Sequence, residues 1–278
     1  MTILALSPEQ WEAVRAFQAK EIESLATDDE FARRASLTSH YSRIGEWLSP
    51  GLKGRVLEAG CGPGRYVALL SKLGFSVVGI DPFPKFPTWN LIKSHCQVEF
   101  HDGVFSESLP FPDGSFDHVA CMAALLYFRD PDRALAEFRR VVKPGGRLVV
   151  RSVNRRNLYR IVRGRHLDPA ARNHYTMREL VGLLSDAGFI VHKSFSYGFY
   201  PPYLEAWWWY LVNGIISTDV QAAMSLLTPP PLRMSLTLFC TAPSSGASRD
   251  ATSEQDVMAT IRERAQASTA SNVSLTGK

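Results

Sequence analysis

No apolar run in this sequence approaches the ~18 residues that a membrane-crossing helix needs, so an integral helical membrane protein is not expected. The first residues, Met1-Thr2-Ile3-Leu4, lack a basic stretch followed by an apolar core, and no signal peptide is expected. Cysteine is scarce. Cys61, Cys96, Cys121 and Cys240 are scattered, with no Cys-x-x-Cys pair, and read as reduced, structural thiols of a cytoplasmic protein. No cluster of residues with metal-ligand spacing stands out, so no metal is expected, and there is no internal repeat. Acid is nearly absent from one long stretch: between Arg139 and Arg172 there are eleven arginines and lysines, and Asp168 is the only carboxylate. Such a stretch either attracts an anionic partner or forms an ordinary solvated face, and composition leaves both open. What remains is ordinary for a globular chain: 278 residues, 45% apolar, net charge +4, enough for one sizeable domain with additions.

The informative stretch is Val56-Leu57-Glu58-Ala59-Gly60-Cys61-Gly62-Pro63-Gly64-Arg65-Tyr66. An apolar pair ends a buried strand, three glycines follow at alternate positions, and Tyr66-Val67-Ala68-Leu69-Leu70 opens a helix. Strand, glycine turn and helix bring the backbone close to a nucleotide. Glycine there supplies positive φ and leaves no Cβ in the ligand's way. Cys61 suits the turn by its small size. Glu58 stands at the strand's carboxyl end. The next strand, Ser76-Val77-Val78-Gly79-Ile80, ends in Asp81, where a carboxylate accepts both hydroxyls of a ribose. The triplet is G-x-G-x-G, not G-x-G-x-x-G, which argues for a nucleoside without phosphates.

These motifs resemble motif I and the acidic follow-up of the class I S-adenosylmethionine-dependent methyltransferases. Leu109-Pro110-Phe111-Pro112-Asp113-Gly114-Ser115-Phe116-Asp117 resembles the third signature of that family, and Val141-Val142-Lys143-Pro144-Gly145-Gly146-Arg147-Leu148 the fourth. The resemblance covers roughly residues 40 to 242, in the broad subgroup of small-molecule and quinone-type enzymes. It implies an α/β, Rossmann-like seven-stranded sheet, six strands parallel and one antiparallel, with helices on both faces. It implies S-adenosyl-L-methionine as cofactor, with S-adenosyl-L-homocysteine as product. Gly60, Cys61, Gly62 and Gly64, with Glu58, would cradle its amino-acid part. Asp81 and Pro82 would hold the ribose, and Asp102, Gly103 and Val104 the adenine. Met122, Ala123 and Tyr41 would line the methionine side.

The expected organisation is a helical lid over 1–50, the cofactor-binding domain over 51–243 with inserts at 154–173 and 201–230, and a mostly disordered tail over 244–278. The lid helix, residues 7–27, carries Trp11, Val14, Phe17 and Ile22 on one face. Asp81-Pro82-Phe83-Pro84-Lys85-Phe86-Pro87 departs from the family. Its prolines hold the chain extended, with helix resuming near Trp89. Strands are expected at 96–101, 116–122, 147–152, 189–195 and 232–241, with helices at 132–142 and 177–187. The 203–216 stretch, with Trp207-Trp208-Trp209-Tyr210, is apolar on all sides. A pocket wall, a homodimer contact and docking at a membrane surface all suit it.

Methyl transfer from a sulfonium needs alignment and a dry cavity more than it needs side-chain chemistry. A base is required only where the acceptor is a hydroxyl. His174, at the entrance to the 177–187 helix, is the first candidate for it. Tyr127 stands where related sequences often carry histidine; it would orient an acceptor, since a phenol with a pKa of ~10 is a poor resting base. No Asn-Pro-Pro-Tyr-type motif follows the fourth strand, which weighs against amino-group methylation of nucleic acid, and no strong nucleic-acid signal is present. The expected activity is O-methylation of a small organic molecule in small-molecule biosynthesis. The alternatives are methylation of an anionic macromolecule or lipid-linked glycan, and a cofactor-binding protein without turnover.

Overall fold

The computed structural model describes residues 8–29, 32, 54–83, 86–164, 170–198 and 228–244. Tyr41, the helix expected near Trp47, the Trp-rich stretch and the tail beyond Pro243 and Ser244 lie outside the described residues.

The elements in chain order are α1 (Pro8–Thr27), β1 (Arg55–Ala59), α2 (Arg65–Lys72), β2 (Ser76–Asp81), α3 (Pro87–His95), β3 (Val98–Asp102), β4 (Phe116–Met122), a 3-10 turn (Leu125–Tyr127), α4 (Pro131–Val141), β5 (Val142–Val153), α5 (Leu158–Arg163), α6 (Met177–Asp186), β6 (Ile190–Tyr197), a second 3-10 turn (Pro230–Leu232) and β7 (Ser235–Thr241). The seven strands form one sheet in the order β3-β2-β1-β4-β5-β7-β6. β7 runs antiparallel to both its neighbours, and the other described pairings are parallel. The order reverses between β1 and β4, which opens a crevice at their carboxyl ends. β6 ends, and β7 begins, at that same edge.

The central strands are buried on both faces, as parallel strands covered by helices must be; four of the five β1 residues and five of the six in β2 are buried. On one face α4 and α6 bury Leu135, Phe138, Leu180 and Leu184 against Leu57, Val119 and Leu148. On the other, α2 and α3 bury Val67, Leu70 and Trp89 against Val56, Val77 and Val149. The described part of α1 packs outside α2 and α3, where Ile22 and Leu25 meet Ala68, Leu69 and Ile92.

Three boundaries differ from expectation for local reasons. β3 starts at Val98 because Cys96 still closes α3, its N–H donating to the Ile92 carbonyl at 2.8 Å. β5 begins at Val142 because Gly145 and Gly146, expected as a turn, pair with Ala242 beyond β7 (3.0 and 2.8 Å). The 154–173 insert contains α5, capped by Asn157, whose side chain accepts the Arg160 N–H at 2.9 Å.

The basic stretch divides between the two edges of the sheet. At the amino edge Arg140 binds Glu137, Asp113 and the carbonyls of Leu109 and Phe111, and Lys143 binds Asp117 at 2.6 Å. Arg140 and Glu137 thereby staple the 109–114 loop to α4. At the carboxyl edge Arg155 pairs with Glu179, which also closes the capping box of α6 with Thr176.

His118, in β4, is 2% exposed, and neither ring nitrogen has a hydrogen-bond partner. Burial pushes its pKa down to about 4. Above pH 6.5 the ring is neutral in folded and unfolded chains alike. As pH falls from 6.5 towards 4 the unfolded chain takes up a proton that the folded chain excludes, so stability is lost in that window. Replacing His118 by Leu should remove about 1–3 kcal/mol of this acid-dependent loss. Urea denaturation of both proteins at pH 7 and pH 4.5 measures it, and identical pH dependence of the two would refute it.

Candidate functional site

β1 delivers its last residues into the crevice, and the glycine turn that follows is held from three directions. The Cys61 N–H donates to the Ile80 carbonyl at 2.9 Å. The Gly62 N–H donates to Asp81 Oδ2 at 2.8 Å. From α3, Trp89 Nε1 donates to the Gly62 carbonyl at 2.8 Å and Thr88 Oγ1 to the Pro63 carbonyl at 2.6 Å. The proline-rich departure after β2 thus brings α3 onto the turn. Trp89 is itself stacked on Phe100, ring centroids 4.6 Å apart.

Two glycines have opposite reasons to be glycine. Gly60 has φ +70°, and a Cβ there would lie 2.4 Å from that of Ala124. Gly62 has φ +49°, but a Cβ there would meet nothing within 4 Å. The first lets β1's loop pass the loop after β4; the second leaves open space above the turn.

Glu58 is 1% exposed. Its carboxyl accepts the Met122 N–H, and Oε2 has no partner. Burial pushes its pKa up to about 8, with the Met122 N–H opposing in part. A buried carboxyl oxygen left without a donor is costly unless a ligand satisfies it. Its neighbours Cys61 and Cys121 are also buried, and burial, with the charge of Glu58, raises both thiols well above their usual range. Neither is a resting nucleophile.

Asp81 is 6% exposed, its Oδ1 accepting the Phe83 N–H at 3.0 Å. It stands in register with Asp102 at the end of β3, which is exposed beside Gly103 and Val104. The Val104 N–H reaches back to the Asp81 carbonyl at 3.3 Å. At the end of β4, Met122 is buried and Ala123 takes φ +62°, a left-handed conformation that L residues avoid.

The loops after β4 and β5 meet through the segment before α6. The N–H groups of Arg172 and Asn173 donate to the Leu126 carbonyl (2.8 and 3.0 Å), and Asn173 Nδ2 to that of Phe128 (2.6 Å). The Arg155 N–H donates to the Tyr175 carbonyl at 2.8 Å. His174, half-buried between those anchors, and Tyr127, 45% exposed, therefore sit on adjoining loops at the crevice's edge.

Residues 57–150 match the family described as a methyltransferase domain. They form a class I S-adenosylmethionine-dependent methyltransferase domain. The chain is similar to an uncharacterized methyltransferase of Mycobacterium tuberculosis, 34% identical over 103 residues, covering 37% of this chain and 41% of that protein. It is similar, at 34% over 104 residues, to a ubiquinone biosynthesis O-methyltransferase of Xanthomonas oryzae, covering 36% and 44%. The chain thus spans less than half the length of these curated relatives. The solved structure of a methyltransferase-like protein from Bacillus halodurans shares the fold, with a TM-score of 0.56 at 18% identity over 73% of this chain and 98% of that one.

The residues of this methyltransferase domain suit the cofactor that its family uses. An orphaned, buried carboxyl oxygen fits an ammonium, paired acids at the ends of β2 and β3 fit hydroxyl and amino donors, and the space above Gly62 fits a ligand lying on the turn. Reasoning from sequence missed four residues that build the site. Trp89 and Thr88 bind the turn from α3. Arg151, at the end of β5, donates to Tyr66 Oη at 2.9 Å and to Ser235 Oγ at 3.3 Å, joining β5, α2 and β7. Asn154 fixes the loop after β5, its Nδ2 donating to the Pro231 and Arg233 carbonyls at 2.8 Å each. An Asn-x-x-Asn pair after a strand, both members able to cap, was the available signal for the last of these.

The two glycines make a paired test. Gly62→Ala should lower stability by only about 1 kcal/mol, the cost of a left-handed alanine, yet weaken S-adenosylhomocysteine binding at least about tenfold by occupying the space above the turn. Gly60→Ala should unfold the domain at lower temperature, because the Ala124 contact cannot relax within the backbone. Thermal melts and calorimetric titration measure both, and equal melting of the two variants would refute the assignment.

Proposed function

We propose that this chain transfers a methyl group from S-adenosylmethionine to a hydroxyl of a small organic molecule. The observation that carries this reading is the row of carboxylates along the crevice: Glu58 with an orphaned buried oxygen, Asp81 binding the glycine turn, and Asp102 beside it. In this reading Glu58 and the turn Gly60–Gly64 take the amino-acid part of the cofactor. Asp81 and Pro82 take the ribose, and Asp102, Gly103 and Val104 the adenine. Met122 and Ala123 line the methyl side, with Tyr41 as a further contact.

When bound, the cofactor supplies an electrophilic methyl on a sulfonium. The chain supplies position and dryness. Burial of Met122 beside the Ala123 turn keeps water from one wall, and alignment alone is worth ~7–11 kcal/mol in favourable cases. His174 accepts the proton from the acceptor hydroxyl, and Tyr127 orients the acceptor. An oxygen acceptor is supported by the similarity to the Xanthomonas oryzae O-methyltransferase. The reading of an anionic macromolecule as acceptor is weakened by the partners of the basic stretch: Arg140, Lys143 and Arg155 are already engaged with acids of this chain.

Incubation with methyl-labelled cofactor and a panel of phenols, quinones and glycans tests the activity, with S-adenosylhomocysteine and labelled product as readouts. Label on none of the panel, with the cofactor bound, would favour a binding protein without turnover. His174→Ala should lower turnover about 10²–10⁴-fold while leaving cofactor affinity unchanged. Undiminished turnover would end its assignment as base.

Glu58 gives a second readout. A carboxyl that titrates near pH 8 is mostly protonated at pH 7. An ammonium placed on it draws the proton off, so S-adenosylhomocysteine binding at pH 7 should release close to one proton, and affinity should rise with pH up to about 8. Titration in two buffers of different ionisation enthalpy counts that proton. Glu58→Gln should release none, and buffer-independent heats for the wild type would remove Glu58 from the site.

A further inference from the structure

Large apolar side chains are exposed on one edge of this molecule. Among the described residues they are Phe83, Phe105, Tyr127, Ile161 and Val162. Phe83 follows β2, Phe105 follows β3, Tyr127 follows β4, and the Ile161–Val162 pair stands on α5 after β5. All five lie beyond the carboxyl ends of parallel strands, around the mouth of the crevice. Single exposed apolar residues scattered over a surface need no explanation, but their confinement to one edge does.

The α5 pair is the most exposed part of this edge that is also firmly held. Ile161 is 56% and Val162 40% exposed. Tyr159, on the same helix, is buried. Asn157 caps the helix and its Nδ2 donates to the Asn154 carbonyl at 2.6 Å. Asn154 is in turn bound to the segment leading into β7. The two aliphatic side chains are therefore presented from an anchored turn, so ordering them on contact costs little entropy.

The stretch that carries α5 is basic. From Val153 to Leu167 the sequence contains no acid and carries Arg155, Arg156, Arg160, Arg163 and Arg165. Arg156 is exposed, and Arg160 is half-buried with Nη1 donating to the Arg155 carbonyl at 3.0 Å. Further round the edge, Arg129 lies over the Phe105 ring at 5.6 Å. Of the acids on this edge, Glu107 accepts the Arg129 N–H, Asp130 caps α4, and Glu179 holds Thr176 and Arg155, while Asp102 is exposed at the end of β3. Aliphatic side chains within a ring of arginines match the boundary of a bilayer whose headgroups are anionic. Among the described residues no helix is long and apolar enough to cross a membrane.

We propose that α5 docks this protein on an anionic phospholipid bilayer, with Ile161 and Val162 entering the headgroup boundary and the neighbouring arginines binding lipid phosphates. The crevice mouth then faces the bilayer, which suits an acceptor carried on an apolar tail. The docking surface does not depend on the methyl-transfer reading, and its test uses neither cofactor nor acceptor.

The full chain is sedimented with phosphatidylcholine vesicles and with vesicles containing about one third phosphatidylglycerol. Binding to the anionic vesicles, and its decline between 50 mM and 500 mM salt, is the expected result. The double variant Ile161→Asp/Val162→Asp should bind at least about tenfold more weakly, and Arg156→Glu should weaken binding while leaving the melting temperature unchanged. Both replace exposed side chains, and an unchanged circular dichroism spectrum checks that the fold survives. Vesicle binding equal to wild type in the double variant, or no binding by wild type, overturns the proposal. So does a dimer in vesicle-free sedimentation that the same substitutions dissolve, because α5 would then be a contact between copies of this chain.

Discussion

The hydrogen bond from the Gly62 N–H to Asp81 Oδ2, 2.8 Å long, couples the ends of two parallel strands beyond their ladder. A charge-assisted bond of this kind, largely out of water, is worth about 1.5–3 kcal/mol. Its importance is more geometric than energetic. The turn it holds fixes where α2 begins, and Gly60 within that turn fixes how closely the loop after β4 can approach. Trp89 and Thr88 then set α3 against the same turn, and Trp89 sets Phe100 of β3. The ends of β1, β2, β3 and β4 are thus positioned relative to one backbone N–H. A single carboxylate holds both the glycine turn, through Oδ2, and the start of the chain after β2, through Oδ1.

The same edge holds the least comfortable residues of the domain. Glu58 loses stability through burial. Its folded pKa lies above its unfolded value, so the folded chain holds a proton that the unfolded chain releases, and stability falls as pH rises from about 4.5 towards 8. Ala123 adds the cost of a left-handed alanine. Both sit where β1 and β4 open onto the crevice, one donor apart through Met122. His118, another buried group with unmet hydrogen-bonding capacity, lies towards the opposite end of β4, away from the crevice. Perturbed groups mark a site when they converge in a crevice, and mark only a burial cost when they stand alone.

The fold was legible because its signals are local. Alternating glycines after an apolar pair, and an acid at the end of the next strand, each act within a few residues. The strand order and the antiparallel β7 came with the resemblance, not from periodicity. What stayed illegible depends on distance in sequence. Nothing near Trp89 says that its indole will bind Gly62, and nothing near Arg151 says that it will reach Tyr66. The basic stretch misled in the same way: composition places Arg140 and Arg156 in one run, while the strand between them carries them to opposite edges of the sheet.

That separation decides how the net charge acts. Arg140 and Lys143, at the amino edge, are spent on Glu137, Asp113 and Asp117, and their fields are cancelled within a few ångströms. Between Val153 and Leu167 no acid occurs, and the arginines of that stretch flank the exposed pair on α5 in sequence. A chain with a modest overall charge therefore carries an uneven one, concentrated on the edge where the crevice opens. Long-range attraction to an anionic surface follows the local concentration of charge, not the total, since contributions beyond about 8–10 Å are screened at physiological salt. The edge that binds is thus also the edge that is steered.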